Sequence, residues 1–150
     1  MPRFATKYFG AVEWPDEEML IFPQGLPAFE HERLFARLAP AGYKPIIFLQ
    51  SASTPELCFL AAPAAAVDPA YELDAQSTEL ELVQGVEAPL EVLVLLTVRE
   101  GQAGTANLLA PVAINPSTRR AVQAIRRDRR YSCRHPLAGT PCGNRLAQCL

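Results

Sequence analysis

The chain has 150 residues, 49% apolar and 20% charged, with 14 prolines, which supports one domain whose core is built from short elements rather than long helices. Its net charge of −2 conceals an acidic body and a basic end: residues 1–118 hold 6 Lys+Arg against 15 Asp+Glu, and residues 119–150 hold 8 Arg against Asp128 alone. No run approaches the ~20 apolar residues of a membrane span, and the N-terminal MPRFATKYFG lacks the apolar core of a secretory signal. The expected setting is the cytoplasm, with the four cysteines reduced.

Strand signals dominate in chain order. Thr6–Phe9 and Ala11–Trp14 flank Gly10, which predicts two short strands or one strand bent at the glycine. Met19–Phe22 is a short apolar run ended by Pro23. The stretch FPQGLPAFE, residues 22–30, has neither helical nor strand period; Pro23 and Pro27 fix φ and Gly25 can take φ > 0, so it predicts a shaped loop carrying apolar side chains. Next come Leu34–Leu38, Ile46–Ser51 and Leu57–Ala61 as β-rich runs, the last two separated by the turn chemistry of Ser53-Thr-Pro55. Thr78–Gln84 reads as a short helix ended by Gly85, although Leu80 and Leu82 fit a strand equally well. Leu90–Val98 is the longest buried-strand candidate, and Thr105–Ala110, Val112–Ile114 and Ala121–Ile125 complete the set.

This pattern predicts an all-β fold: a small antiparallel β-barrel-like single domain with at most one or two short helices. The domain spans residues 1–137. From Pro136 onward the sequence PLAGTPCGNRLAQCL loses strand character, and residues 138–150 are expected as a flexible C-terminal tail.

Catalysis is not expected. The two histidines, His31 and His135, lie more than a hundred residues apart, and no nucleophile-elbow, P-loop or dinucleotide motif is present. Asp16, Glu17 and Glu18 read as a solvated turn. Cys133, His135, Cys142 and Cys149 are zinc-competent but lack the C-x₂₋₄-C knuckles that stiffen structural sites, so neither a metal nor any cofactor is expected. Arg119, Arg120, Arg126, Arg127, Arg129, Arg130 and Arg134 could track a phosphate backbone, and an RNA-binding module acting through Arg119–Arg134 is the alternative function. Tyr131 is the only aromatic among them, whereas RNA modules usually add stacking platforms; an arginine arm docked on its own acidic body explains the same residues, and direct RNA binding is the less favoured reading.

TKYFGAVEW, IFPQGLPAFE, TANLLAPVAINPSTRRAVQAI and RYSCRHPL, in that order, resemble the flagellar assembly factor family FliW over about residues 4–137. The resemblance implies a small cytoplasmic β-barrel-like protein without catalytic activity or small-molecule substrate. It also implies two partners, flagellin and the RNA-binding translational repressor CsrA. A member holds the repressor off flagellin messenger RNA once flagellin export frees it, which couples translation to export. Ala28 stands where the family commonly has glycine, and the Arg119–Arg134 stretch is more basic than its counterpart. The expected partner-binding residues are Phe22, Gly25, Leu26, Pro27, Phe29 and Glu30 in the shaped loop, with Leu26 at its tip. Glu72 and Asp74 join them as an acidic pair flanking Leu73, and Asn107, Pro111 and Asn115 come from the family-like NLLAPVAIN segment. Competing roles are a barrel plug for Phe22 and Phe29 and turn hydrogen bonding for the two asparagines.

Overall fold

The structure, a computed structural model, describes residues 3–84, 89–99 and 102–149, with Cys149 described by its backbone alone. Eleven strands are present among these residues: β1 Arg3–Ala5, β2 Ala11–Glu13, β3 Leu20–Ile21, β4 Leu34–Leu38, β5 Ile47–Ser51, β6 Cys58–Pro63, β7 Glu91–Thr97, β8 Thr105–Ala106, β9 Val112–Ile114, β10 Ala121–Gln123 and β11 His135–Pro136. The helices are α1 (Ala64–Val67) and α2 (Pro141–Cys149), and short 3-10 turns cover Asp16–Glu18, Ala41–Tyr43 and Thr78–Leu82. The expected all-β fold is what forms.

β1 and β2 make a separate hairpin. The other nine strands form one antiparallel sheet in the order β10-β9-β7-β6-β5-β4-β3, with β8 paired to both β7 and β11. The sheet curls until its two edge strands meet at a single contact, where Ile21 N donates to Arg119 O at 2.9 Å beside an Ile21–Arg120 bridge. It is barrel-like without being a closed barrel.

Period-2 alternation places two different apolar sets on the two faces of the central strands. Phe35, Ile47, Leu49, Ala61 and Leu93 join Leu20, Phe22, Val112 and Ile114 in one cluster. Ala36, Leu38, Phe48, Ala62, Val94 and Leu96 face the other way, into a cluster covered by α1, α2 and half-buried side chains of the β1–β2 hairpin. With both faces covered, β5 is buried at every position. This explains why these strands read as continuous apolar runs rather than clean alternations. A third, smaller cluster lies where Leu80 and Val83 meet Ala113, Val122 and Ala124.

Two expectations are corrected, and the short helix expected at Thr78–Gln84 forms in a tighter winding. Thr6–Phe9 is the turn of the first hairpin and not a strand: Thr6 Oγ1 accepts from Phe9 N at 2.9 Å and donates to Gly10 O at 2.7 Å, and Gly10 has φ +66°. Local turn chemistry there outweighs the β-propensity of Tyr8 and Phe9. Thr78–Leu82 winds as a 3-10 turn, and Gly85 lies outside the described residues. Most importantly, the segment 138–150, expected as a flexible tail, carries α2. Thr140 caps it by accepting from Gly143 N at 3.1 Å, Pro141 occupies its first turn, and Cys142 and Leu146 are buried.

Candidate functional site

The FPQGLPAFE loop leaves β3 through Phe22, whose N donates to Arg33 O at 2.8 Å, so the loop returns alongside its own start. Within it Leu26 and Phe29 form an antiparallel bridge, with Phe29 N donating to Leu26 O at 2.7 Å. Pro27 and Ala28 are the two central residues of that turn, and Ala28 has φ +71°, the proline-then-positive-φ signature of a type II turn. The third residue of such a turn favours glycine. Gly25 has no alternative: its φ is +66°, and a Cβ would lie 2.5 Å from the carbonyl oxygen of Glu30.

The loop is stitched to the body by its own polar groups. Arg33 Nη1 donates to Pro23 O at 2.6 Å and Arg33 Nε to Glu30 O at 3.3 Å. Next in the chain, the carboxylate of Glu32 is 2% exposed and accepts hydroxyl hydrogen bonds from Ser51 (2.7 Å), Ser53 (2.9 Å) and Thr54. Those hydroxyls, Ser51 foremost and then Thr54, hold its pKa below the ordinary 4.5 against the opposing effect of burial. Glu32 therefore clamps the end of the loop to the β5–β6 turn. Nothing in the one-dimensional pattern marks it, because its partners lie some twenty residues away.

The loop's apolar residues point mostly inward. Phe22 is fully buried and edge-on to Phe35 at 5.2 Å; Phe29 is half-buried and edge-on to Phe59 at 5.5 Å. Leu26, expected at the tip, is only 2% exposed and belongs to the core cluster. The bridge to Phe29 turns its side chain in and presents Pro27, Ala28 and Glu30 instead, all exposed.

Asn107 and Asn115 hold turns. Asn107 Oδ1 accepts from Leu109 N (3.1 Å) and Ala110 N (3.0 Å). Asn115 is buried; its Oδ1 accepts from Ser117 N at 2.9 Å and its amide donates to Val83 O at 2.8 Å. Pro111 is buried between them in the chain. The Asn115–Arg120 turn also meets the acidic turn, since Arg119 Nη1 donates to Asp16 O at 3.0 Å. Asp16, Glu17 and Glu18 remain exposed beside it, so residues 15–19, 115–120 and the start of the shaped loop converge at one end of the sheet.

Glu72 and Asp74 face the arginine-rich segment. Arg126 is buried; it makes a two-pronged pair with Asp128 at 2.8 Å on each prong, and donates to Glu72 O at 2.5 Å. Its guanidinium lies 5.2 Å from the Tyr71 ring and 4.8 Å from Tyr131, and the two ring centroids are 4.6 Å apart. The Asp128 pair above all holds Arg126 charged, with its pKa raised. Asp74 accepts from Arg127 N at 2.7 Å, and this backbone contact foremost lowers its pKa. The Glu72 carboxylate is 3.7 Å from Arg130. This is the self-docked arginine arm; Arg127, Arg129 and Arg134 stay exposed and make no ion pair among the described residues.

No group of three metal-competent side chains comes together among the described residues. Burial pushes the Cys58 thiol up to about 11 and raises that of Cys142, the opposite of what a thiolate nucleophile needs. No helix among the described residues is long and apolar enough to cross a membrane.

Residues 3–137 match the family model described as FliW protein. The chain is 34% identical to the flagellar assembly factor FliW of Syntrophomonas wolfei over 137 residues, covering 90% of this chain and 88% of that one. It is 31% identical to that of Bacillus subtilis strain 168 over 140 residues (91% and 97%) and 36% identical to that of Geobacillus thermodenitrificans over 137 residues (90% and 94%). A crystal structure of the flagellar assembly factor FliW superposes with a TM-score of 0.82 at 36% identity, covering 91% of this chain and 96% of that one. On sequence along nearly its whole length and on fold, the chain belongs to the FliW family of flagellar assembly factors.

Proposed function

We propose that this protein is a non-enzymatic, cytoplasmic assembly factor that binds flagellin and, when free of it, captures a CsrA-type RNA-binding repressor, so that flagellin translation keeps step with export. The observation that carries this reading is the match along residues 3–137 to flagellar assembly factors. The charge distribution supports it. A body with 15 Asp+Glu against 6 Lys+Arg in residues 1–118 attracts a basic RNA-binding partner and repels RNA itself.

The geometry redistributes the candidate contacts. Phe22, Gly25, Leu26, Pro111 and Asn115 shape the surface from within. The exposed members, Pro27 and Glu30 with the half-buried Phe29, are available to a partner, together with the exposed acids Asp16, Glu17 and Glu18. Glu72 and Asp74 are partly neutralised by the arginine arm and make a poorer docking face for a basic protein.

RNA binding through Arg119–Arg134 is the competing reading, favoured by the exposed Arg127, Arg129 and Arg134. Against it, Arg126 is committed to Asp128 and Tyr131 is covered by Tyr71 and Arg126, leaving no free stacking platform among the described residues of that segment. Biolayer interferometry with RNase-treated flagellin and repressor separates the two. Both proteins should bind, and repressor association should slow with salt more than its dissociation speeds up, because screening acts over about 8 Å at ~0.15 M. Loss of both signals after RNase treatment, with binding to RNA alone, would replace this reading by the RNA-binding one.

A further inference from the structure

The family match stops at residue 137, immediately before the segment that carries α2. α2 borders a depression made of two adjoining hollows. One, of about 150 Å³, is lined by Tyr8, Phe9, Tyr43, Phe48 and Leu60, and the other, of about 850 Å³, reaches Arg99 and Ala147; Tyr8, Leu60 and Leu146 line both. The smaller hollow is walled by an aromatic cluster centred on Phe48, with Phe9, Tyr43 and Tyr8 edge-on to it at 4.9, 5.4 and 5.6 Å. Tyr8 and Tyr43 remain 51% and 37% exposed. Isolated exposed aromatics need no explanation. Two of them around an unfilled hollow beside a seated helix make a continuous apolar surface that the helix covers in part.

α2 is held by few side chains, although its backbone sits close to the body at Gly143, where a Cβ would lie 2.1 Å from Leu137 O. Cys142 and Leu146 are its only buried side chains among the described residues, and its strongest polar anchor to the body is one bond, Arg145 Nε to Lys44 O at 2.9 Å. Asn144, Ala147 and Gln148 are exposed. The charge is also mismatched. The helix brings Arg145 into a depression whose other charged lining residue is Arg99, with no carboxylate among the described lining residues and Lys7 close by over Tyr8 at 5.2 Å; Glu100 lies outside the described residues. A helix of nine residues is too short to be stable alone, so undocking α2 also unwinds it.

We infer that this depression is a docking site for an acidic amphipathic helix of a partner protein, and that α2 is its displaceable occupant within the chain. The fitting helix carries small and large apolar anchors four residues apart, as Cys142 and Leu146 are. A further bulky side chain beside the second anchor fills the aromatic hollow, and carboxylates on its flanks face Lys7 and Arg99. The inference does not depend on which flagellar partner is bound.

The probe is a fluorescein-labelled peptide of residues 138–149 carrying Cys142→Ala, Cys149→Ala, Asn144→Glu, Ala147→Glu and Gln148→Glu, with a twin carrying Lys at the last three positions. Anisotropy is read against the full chain and against its Leu146→Glu variant, which unseats α2. The acidic peptide should bind the variant at least ~10-fold more tightly than the full chain, and more tightly than the Lys twin. Adding Tyr8→Asp should abolish that gain. Equal binding to both proteins, no binding to the variant, or preference for the Lys twin overturns the inference. Should Leu146→Glu fail to fold, hydrogen exchange on the unchanged chain decides: amides of 141–149 should exchange at least ~100-fold faster than those of β5–β7, and equal protection would show α2 to be integral. A dimer exchanging α2 between copies would make the occupant a second copy and equally overturn it.

Discussion

Glu32→Gln is the sharpest probe of how the shaped loop is held. The carboxylate accepts from Ser51 and Ser53 through Oε2 and from Thr54 through Oε1. The amide keeps one acceptor oxygen but replaces the other with a donor. Two charge-assisted bonds therefore fall to neutral strength, a loss of ~1 kcal/mol each, and a third is lost or reversed. Ser53 and Thr54 are not fully buried, and water recovers part of that deficit. The net cost is ~2 kcal/mol, which for a chain of this length lowers Tm by about 4–8 °C near neutral pH. The effect has a pH signature. The folded-state pKa of Glu32 lies below its ordinary value of 4.5, so its contribution is complete above that value and is lost as pH falls through the lowered pKa. Exposed His31, 3.7 Å away, adds a small attraction while protonated. Melting curves of both proteins between about pH 7 and about pH 3 should converge as the pH falls. A Tm difference near zero at neutral pH, or one that stays constant down the series, would refute the clamp.

The same geometry sets four further outcomes. Gly25→Ala forces a positive φ on alanine and drives a Cβ to 2.5 Å from Glu30 O, so it should cost ~2–4 kcal/mol in a denaturant titration. Ala28→Gly should act the other way: relief of ~1–2 kcal/mol of left-handed strain outweighs ~0.5–1 kcal/mol of added chain entropy, and Tm should rise slightly. Leu26→Asp buries a charge in the core cluster and should destabilise the whole sheet by at least ~3 kcal/mol; a variant that melts normally would place Leu26 at the surface after all. Reversing Asp16, Glu17 and Glu18 to lysine should leave Tm nearly unchanged and slow repressor association several-fold, read by interferometry at low salt.

The sheet was legible because its central strands are strongly apolar: β4 and β9 fall on Leu34–Leu38 and Val112–Ile114 as read, and β5 to β7 lie within a few residues. What the pattern hid is physical. Tyr8 and Phe9 look like strand residues, but they sit in a turn and reach across to Phe48. α2 carries a Thr-Pro start that marks a helix, yet only two of its described side chains are buried, too few to raise a helical period above the glycine and polar residues around them. The loop was recognisable as shaped, and Pro27 with Ala28 marks its turn. The direction of Leu26 was not recognisable, because it is set by a bridge to Phe29 and a core assembled from distant strands. Glu32 was invisible as an anchor, since its partners lie some twenty residues away, and so was the Arg126 bond to Glu72 O, about fifty residues back, although its other partner, Asp128, is two residues on.

Reconstitution tests the coupling of flagellin translation to export most directly. A flagellin messenger leader is bound by the CsrA-type repressor and monitored by gel shift as this protein, and then flagellin, is added. The protein should release the RNA in step with its own capture of the repressor, and flagellin should restore the repressor–RNA band. RNA that stays bound at every concentration of the protein, or a release that flagellin does not reverse, would contradict the proposed role.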